Sequence, residues 1–473
     1  MKPILSTINF IVILFLLSCN GKNMQYSIAN KDIPAYYNNQ NDTSNKPLIS
    51  RNEFIGDAEL IALIDTALKY NNDLQIAYQK IEKAKANQLF YKGALLPQVQ
   101  LGASTSVRKF GLYTMDGAGN STTDIKSNTK VPIDLPDYWL GIQSSWELDI
   151  RGKLNNQKKA AIANYLSSEE TVKYIQTNLV AEIAMSYYNL IALDEELEIL
   201  NANAKKQEEA LFFIQAQKEA GKANELAVQQ FNTQLMQLGI LEQEVKRSIA
   251  LEEHNLNYLI GRFPEKINRS KQNLYADNSC IHVGLPSSLL LNRPDIKAAQ
   301  LALKGSHFDL KAANAAFYPS FTMGAGLGFQ AFNTNYLLST PESMAYNIVG
   351  GLMMPLINKS AIKANFKYAT ANQIESAYLY QQKIIAGFVE VSNELSDIAY
   401  LKKMNQIVLE KNKVNKLAVD NALSLYKSAR STYLDVLITQ QNALQSELDV
   451  ISIAKRLKLA NVKLYKSLGG GWR

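Results

Sequence analysis

The stretch AAFYPSFTMGAG, Ala315 to Gly326, reads as the end of an alanine-rich helix that meets Pro319 and passes at once into an alternating segment. ALLPQVQLGA, Ala94 to Ala103, makes the same switch at Pro97, 222 residues earlier. At that offset Asp73 aligns with Asp295, Leu74 with Ile296, Gly102 with Gly324 and Ala103 with Ala325. Further on the offset becomes 208, pairing Tyr138 with Tyr346, Leu148 with Leu356, Leu226 with Leu434, Val228 with Val436 and Gly261 with Gly469. Matches at a fixed offset indicate an internal repeat. The change of offset leaves the first copy with 14 extra residues between Ala103 and Tyr138. They include DGAGNSTTD, Asp116 to Asp124, which has the composition of a polar loop.

Each copy reads as a helix, two alternating segments joined by a turn, and a very long helical pattern interrupted once. All twelve prolines fall outside the windows 137–263 and 356–473, and glycine is sparse in both. Without these interrupters, helices can run far beyond the globular average. Ile183, Leu190, Leu197, Ala204 and Leu211 recur every seven residues, interleaved by Ser186, Leu193 and Leu200, as in a coiled-coil seam. A helix from Asn155 to Glu219 would be about 95 Å long. That length predicts an elongated rod.

The alternating segments divide into two faces. In the first copy Tyr138, Leu140, Ile142, Ser144, Trp146 and Leu148 alternate with Gly141, Gln143, Ser145 and Glu147. In the second, Phe321, Met323, Ala325, Leu327 and Phe329 alternate with Thr322, Gly324, Gly326 and Gly328. Such segments of about ten residues suit tilted transmembrane strands, and they equally suit a soluble sheet that covers a core. Four strands are too few for a barrel, and open strand edges cannot sit in lipid. If the strands enter a membrane, several chains must share one barrel, and three chains would supply about twelve strands. Tyr138, Trp146, Phe329 and Tyr346 are then expected on the lipid side.

The chain has 473 residues, a length that by itself suggests about three domains. Its net charge of +7 is spread along the sequence, with no Lys/Arg block or zinc-finger, homeodomain or RNP pattern, so a nucleic-acid partner is not expected. At the N-terminus Lys2 precedes an apolar run, Ile8 to Leu17, which is too short to span a bilayer and suits a cleaved export signal. The run ends in LLSC, Leu16 to Cys19, which resembles a bacterial lipobox; lipidation at Cys19 is the expectation, and an ordinary signal peptide with a chance cysteine the alternative. Cys280 is the other cysteine, so no disulfide framework is expected.

LPSSLLLNRPDIKAAQLAL, Leu285 to Leu303, is similar to a motif of the TolC family of outer-membrane channels, in the lipoprotein branch that serves resistance-nodulation-division efflux pumps. Arg293, Pro294 and Asp295 carry that motif, while Asn292 and Gln300 stand where the branch has Arg and Glu. NEFIGDAELIALIDTALKYNNDL, Asn52 to Leu74, and SWELDIRGKL, Ser145 to Leu154, resemble the same branch. The resemblance covers nearly the whole mature chain. It implies an α+β membrane protein: a homotrimer with a shared twelve-stranded barrel, continued by a coiled-coil α-helical barrel in the periplasm. It also implies a lipid-anchored outer-membrane location, outer-membrane lipid around the barrel, a periplasmic adaptor (membrane fusion) protein and an inner-membrane proton antiporter as partners, and no cofactor. The organisation expected is a signal peptide at 1–18, an extended tail at 19–56, and two repeats at 57–280 and 281–473. Their β-hairpins fall at about 98–150 and 319–357, and their helical hairpins at about 155–260 and 361–468.

In this family the periplasmic tips form a constricted entrance with acidic residues facing the axis. The second tip is YKSARSTYLDVLITQQ, Tyr426 to Gln441, and Asp435 falls on one acidic position of the family, with Ile438 where some relatives carry another. Thr432-x-x-Asp435 also reads as a helix-capping pair, and both roles can hold at once. Tyr426 matches a family tyrosine that links the two hairpins, but its usual Asp partner is Ala227 here.

No enzymatic constellation emerges. His254, His282 and His307 form no metal-ligand spacing, and GAGLG, Gly324 to Gly328, sits inside an alternating segment rather than between a strand and a helix. The leading expectation is a passive exit duct of a tripartite efflux pump. Its rivals are the duct of a type I protein-secretion system and a periplasmic coiled-coil scaffold or adaptor.

Overall fold

The computed structural model describes residues 34, 36–37, 50–126, 129–270, 274, 284–357 and 359–472. Cys19, Cys280 and His282 lie outside these residues. The first half runs α1 (Arg51–Ile55), α2 (Ala58–Tyr70), α3 (Asn72–Gly93), β1 (Gln98–Lys109), α4 (Met115–Thr122), β2 (Asp124–Lys126), β3 (Thr129–Lys130), β4 (Asp134–Leu148), α5 (Lys153–Glu219) and α6 (Glu225–Ile260). The second runs α7 (Leu289–Asn292), α8 (Pro294–Ala315), β5 (Ser320–Ala331), β6 (Met344–Met353), α9 (Ser360–Lys427) and α10 (Tyr433–Ser467). The order α3-β1-β4-α5-α6 thus recurs as α8-β5-β6-α9-α10. The long helices α5 and α9 have 67 and 68 residues, about 100 Å each at 1.5 Å per residue.

The four long strands form one antiparallel sheet in the order β1-β4-β5-β6. From one end of it, α3, α5, α8 and α9 continue side by side in the same order as the strands to which they are joined. Pro97 and Pro319 stand immediately before β1 and β5, where a strand start tolerates a missing N–H. At the junction after β4, the Asp149 carboxylate accepts the Leu154 and Asn155 backbone N–H groups at 2.9 and 2.8 Å, and Lys153 pairs with Glu147 at 2.8 Å. These contacts give the SWELDIRGKL stretch its physical role of starting α5.

Farther along, α5 packs on α6 and α10, and α10 on α9. The largest core lies where α2, α5 and α6 meet, with Leu60, Ile64, Ile183, Tyr187, Leu190 and Leu256 fully buried.

Three details differ from the sequence reading. Residues 115–122 fold as helix α4: the Thr114 hydroxyl caps the Gly117 N–H at 3.1 Å, and a Cβ on Gly117 would lie 2.0 Å from the Gly111 carbonyl oxygen. Within the expected tail, residues 51–55 are helix α1, which Ser50 caps and which buries Phe54 and Ile55. The seam on α5 keeps Ile183 and Leu190, but beyond them only its second row stays buried, running from Leu200 on to Gln207 and Ile214, while Leu197, Ala204 and Leu211 of the first row are half-buried. There α5 must face two partners: Leu200 packs with Leu238 of α6 and Leu444 of α10, and Ile214 with Phe231 and Leu437 of the same two helices.

Candidate functional site

Three places carry the residues singled out in the sequence: the sheet, the junction around Arg293, and the turns at the far ends of the long helices.

In the sheet, the register sets Tyr138 opposite Ala331, Leu140 opposite Phe329, Ile142 opposite Leu327 and Trp146 opposite Met323, while Leu327 meets Tyr346 on β6 and Ile142 meets Leu101 on β1. Directly opposed residues share a face. Tyr138, Trp146, Phe329 and Tyr346 therefore lie on one face of the sheet with Leu101, Ile142, Leu327 and Ile348. Much of that face is open in the single chain: Tyr346 is 82% exposed, Leu101 78% and Ile348 75%. Trp146 satisfies its one donor by giving the indole N–H to the Leu95 carbonyl at 3.0 Å. The opposite face carries Gln98, Gln100, Gln143, Ser145, Gly324, Gly326, Gly328 and Asn347. It also carries Trp139, which the sequence reading passed over although its odd position among small residues marks it. Among the described residues, outer strands β1 and β6 each leave one edge without a partner strand.

Arg293 is 4% exposed and Asp295 7%. The guanidinium donates from Nε and Nη2 to the two Asp295 carboxylate oxygens at 3.0 and 2.8 Å, and from Nη1 to Glu390 Oε2 of α9 at 2.6 Å and the Ser467 carbonyl of α10 at 3.0 Å. Burial works against its charge, but hydrogen bonds and attraction from Asp295 and Glu390 outweigh it, so the Arg293 pKa is raised. Pro294 occupies the first turn of α8, where no N–H is needed. The motif thus acts as a clamp that ties α8, α9 and the end of α10 together. Behind it, Gly469 has φ +90°, and a Cβ there would lie 2.5 Å from the Asn292 carbonyl oxygen. The first half repeats this arrangement with a different side chain. Gly261 has φ +86° with a Cβ position 2.4 Å from the Tyr70 carbonyl oxygen, and Asn71 donates to the Leu259 carbonyl at 2.8 Å. At the two offsets, Asn71 and Leu259 are the counterparts of Arg293 and Ser467.

At the far turns, Gly221 (φ +70°) and Ala429 (φ +60°) hold the same left-handed position. Asp435 completes a capping box. Its Oδ2 accepts the Thr432 backbone N–H at 2.9 Å, the Thr432 hydroxyl at 2.7 Å and the Ser431 hydroxyl at 2.9 Å. The bond from the Thr432 backbone, then those from the two hydroxyls, lower its pKa. Tyr426 packs beside Ala227 in a cluster shared by both hairpins, and its hydroxyl donates to Gln217 Oε1 at 2.5 Å. Burial raises the Tyr426 pKa. Gln217 is therefore the hydrogen-bond partner of Tyr426, where Ala227 offers none, which the sequence did not reveal. Gln441 adds a second link by donating to Gln234 at 2.7 Å.

The sequence profile of the outer membrane efflux protein family matches residues 63–262 and 285–470, one segment in each half. The chain belongs to this family. Among curated members, the probable outer membrane lipoprotein SilC of Salmonella typhimurium is 27% identical over 453 residues, covering 95% of this chain and 92% of SilC. The cation efflux system protein CusC of Escherichia coli K12 is 27% identical over 428 residues, covering 88% of each. In fold, the chain is like the CmeC outer membrane channel of Campylobacter jejuni, with a TM-score of 0.83 over 93% of this chain and 94% of CmeC at 23% identity. The outer membrane efflux family consists of channels rather than enzymes, and this member is an outer-membrane protein. Among the described residues no group of three or more His, Cys, Asp or Glu could hold a metal, and no helix is long and apolar enough to cross a membrane.

Proposed function

We propose that three copies of this chain close a twelve-stranded β-barrel in the outer membrane and form the exit duct of a tripartite efflux pump of the resistance-nodulation-division type. The observation that carries the proposal is a four-stranded sheet with, among the described residues, two unpaired edges and one exposed apolar face. In lipid each unpaired backbone group costs several kcal/mol, so the β1 edge of one chain pairs with the β6 edge of the next. The apolar face then meets hydrocarbon, with Tyr138, Trp146, Phe329 and Tyr346 at its aromatic positions. Continuing from one end of the sheet, α3, α5, α8 and α9 extend the barrel into a helical duct across the periplasm. The exposed side chains Tyr378, Ile385, Tyr400, Ile407 and Val414 on α9 belong to the contact with the neighbouring copy.

The two halves act as copies of one unit, a duplication that gives six similar units around the axis. Cys19 carries the lipid anchor. At the periplasmic end Asp435 lines the entrance and the Tyr426–Gln217 link holds the hairpins in the closed arrangement. An adaptor protein opens it, and an inner-membrane proton antiporter supplies the energy and makes the first selection of cargo. Spin labels in reconstituted protein test the arrangement. Labels at 140 and 142 should report lipid, and labels at 141 and 143 water. Water exposure of all four, with no heat-dissociable trimer on gels of outer-membrane fractions, would remove the barrel.

A further inference from the structure

Trp139 is the single aromatic side chain on the polar face of the four long strands. Its neighbours on that face are small or polar: Ser104 and Gln330 opposite it, and Asp137 and Gly141 two residues away along β4. The benzo edge of the indole lies over glycines on two strands. A Cβ on Gly102 would stand 3.3 Å from Trp139 Cζ3, and one on Gly141 2.9 Å from Cζ2. Gly141 and Gly328 also draw β4 and β5 close together, since a Cβ on either would fall within 2.5 Å of the other strand's backbone. The two strands therefore approach closely on this face, and the indole lies against the glycines.

Along β4, Trp139 falls between the strand positions that line two hollows, Asp137 on one side and Gln143 on the other. One, of about 240 Å³, is lined by uncharged amides and hydroxyls, among them Gln98, Gln100, Gln143 and Asn347. The other, of about 390 Å³ and at the end of the sheet away from the helices, brings together the carboxylates of Asp137 and Glu342 with one guanidinium, Arg108. Arg108 already stacks on Phe110, 5.6 Å from the ring centroid, and both Asp137 oxygens accept from the Gln330 amide at 2.9 and 3.0 Å.

We infer that Trp139 is a specificity-determining contact for cargo in the barrel, and that its indole, with the carboxylate of Asp137 two residues farther along the same face of β4, favours hydrophobic organic cations. The inference rests on the shared-barrel reading, which turns the polar face to the lumen and sets three such indoles at one height near the exit. An aromatic face attracts a poorly hydrated cation, the carboxylates add to that attraction, and the amide-lined stretch below offers neither. Small hydrated ions gain little from the indole and should pass it indifferently.

The test is block of single-channel current in planar bilayers by tetraphenylphosphonium added from the extracellular side, with tetramethylammonium as the comparison, on the full-length trimer. Wild type should be blocked by tetraphenylphosphonium. Trp139→Phe should retain most of the block, while Trp139→Leu, which keeps bulk without a π face, and Trp139→Ala should weaken it about tenfold, with potassium conductance little changed. If Trp139→Ala does not assemble, the comparison of Phe with Leu decides. Equal block in wild type, Trp139→Phe and Trp139→Leu overturns the inference and leaves the indole as a cover for the glycines, especially if the substitutions only lower the heat stability of the trimer. A wild-type protein that forms no channel counts instead against the shared barrel.

Discussion

Replacing Arg293 by Met should be among the most damaging single changes outside the core. The guanidinium makes four hydrogen bonds, three of them to carboxylates, and both it and Asp295 are almost completely buried. Glu390 is half exposed and can turn to water, so its loss costs little. Asp295 cannot, because its side chain is 6% exposed. Arg293→Met leaves that carboxylate buried without a partner and orphans the Ser467 carbonyl, a cost of about 3–5 kcal/mol for a broken buried pair. Removing the charge on both sides, in Arg293→Met with Asp295→Asn, should cost less, about 1–2 kcal/mol, because no uncompensated charge remains. The difference predicts a coupling of about 2 kcal/mol or more. Guanidinium unfolding of the detergent-solubilised protein, followed by far-UV circular dichroism, measures it. A loss below about 1 kcal/mol for Arg293→Met, or a double variant as unstable as the sum of the singles, would refute the clamp.

Gly469→Ala should destabilise by more than about 1–2 kcal/mol, since alanine is strained at φ +90° and its Cβ would also strike the Asn292 carbonyl; thermal unfolding no different from wild type would contradict this. Tyr426→Phe and Gln217→Leu each remove the 2.5 Å link between hairpins, worth about 1 kcal/mol, and should both raise single-channel conductance; closed-state currents unchanged in both would show that the tips are held elsewhere. Asp435→Asn should lower cation selectivity and relieve block by periplasmic multivalent cations; wild-type selectivity and block in Asp435→Asn, with only a lower melting temperature in Asp435→Ala, would make the residue a helix cap alone. Because the folded Asp435 pKa is lowered, its capping contribution is complete above the ordinary aspartate value and fades as pH falls through the lowered one; heat stability of the Asp435→Ala trimer should therefore approach that of wild type under strongly acidic conditions, and a gap that widens instead would reverse the assignment.

Much of the architecture is written locally. The proline windows at 137–263 and 356–473 permit α5 and α9 their full length, because no residue within them forbids the next helical hydrogen bond. Period-two alternation assigns Tyr138, Trp146 and Phe329 to one face, since successive side chains in a strand must point to opposite sides. Thr432 and Asp435 are three apart, so their capping box could also be read from spacing.

Contacts that join distant segments were decided only in three dimensions. Gln217 and Tyr426 are 209 residues apart, and nothing near either names the other. Arg293 reaches the Ser467 carbonyl only because Gly469 lets the chain turn back against Asn292. The seven-residue pattern on α5 predicted two interleaved rows, yet beyond Leu190 packing against both α6 and α10 buries only the row of Leu200, Gln207 and Ile214. Trp139 shows the division most clearly. Its face follows from parity along β4, but the glycine at position 102 that makes room for its ring is brought there by the register of β1, which pairing between strands determines and sequence order does not.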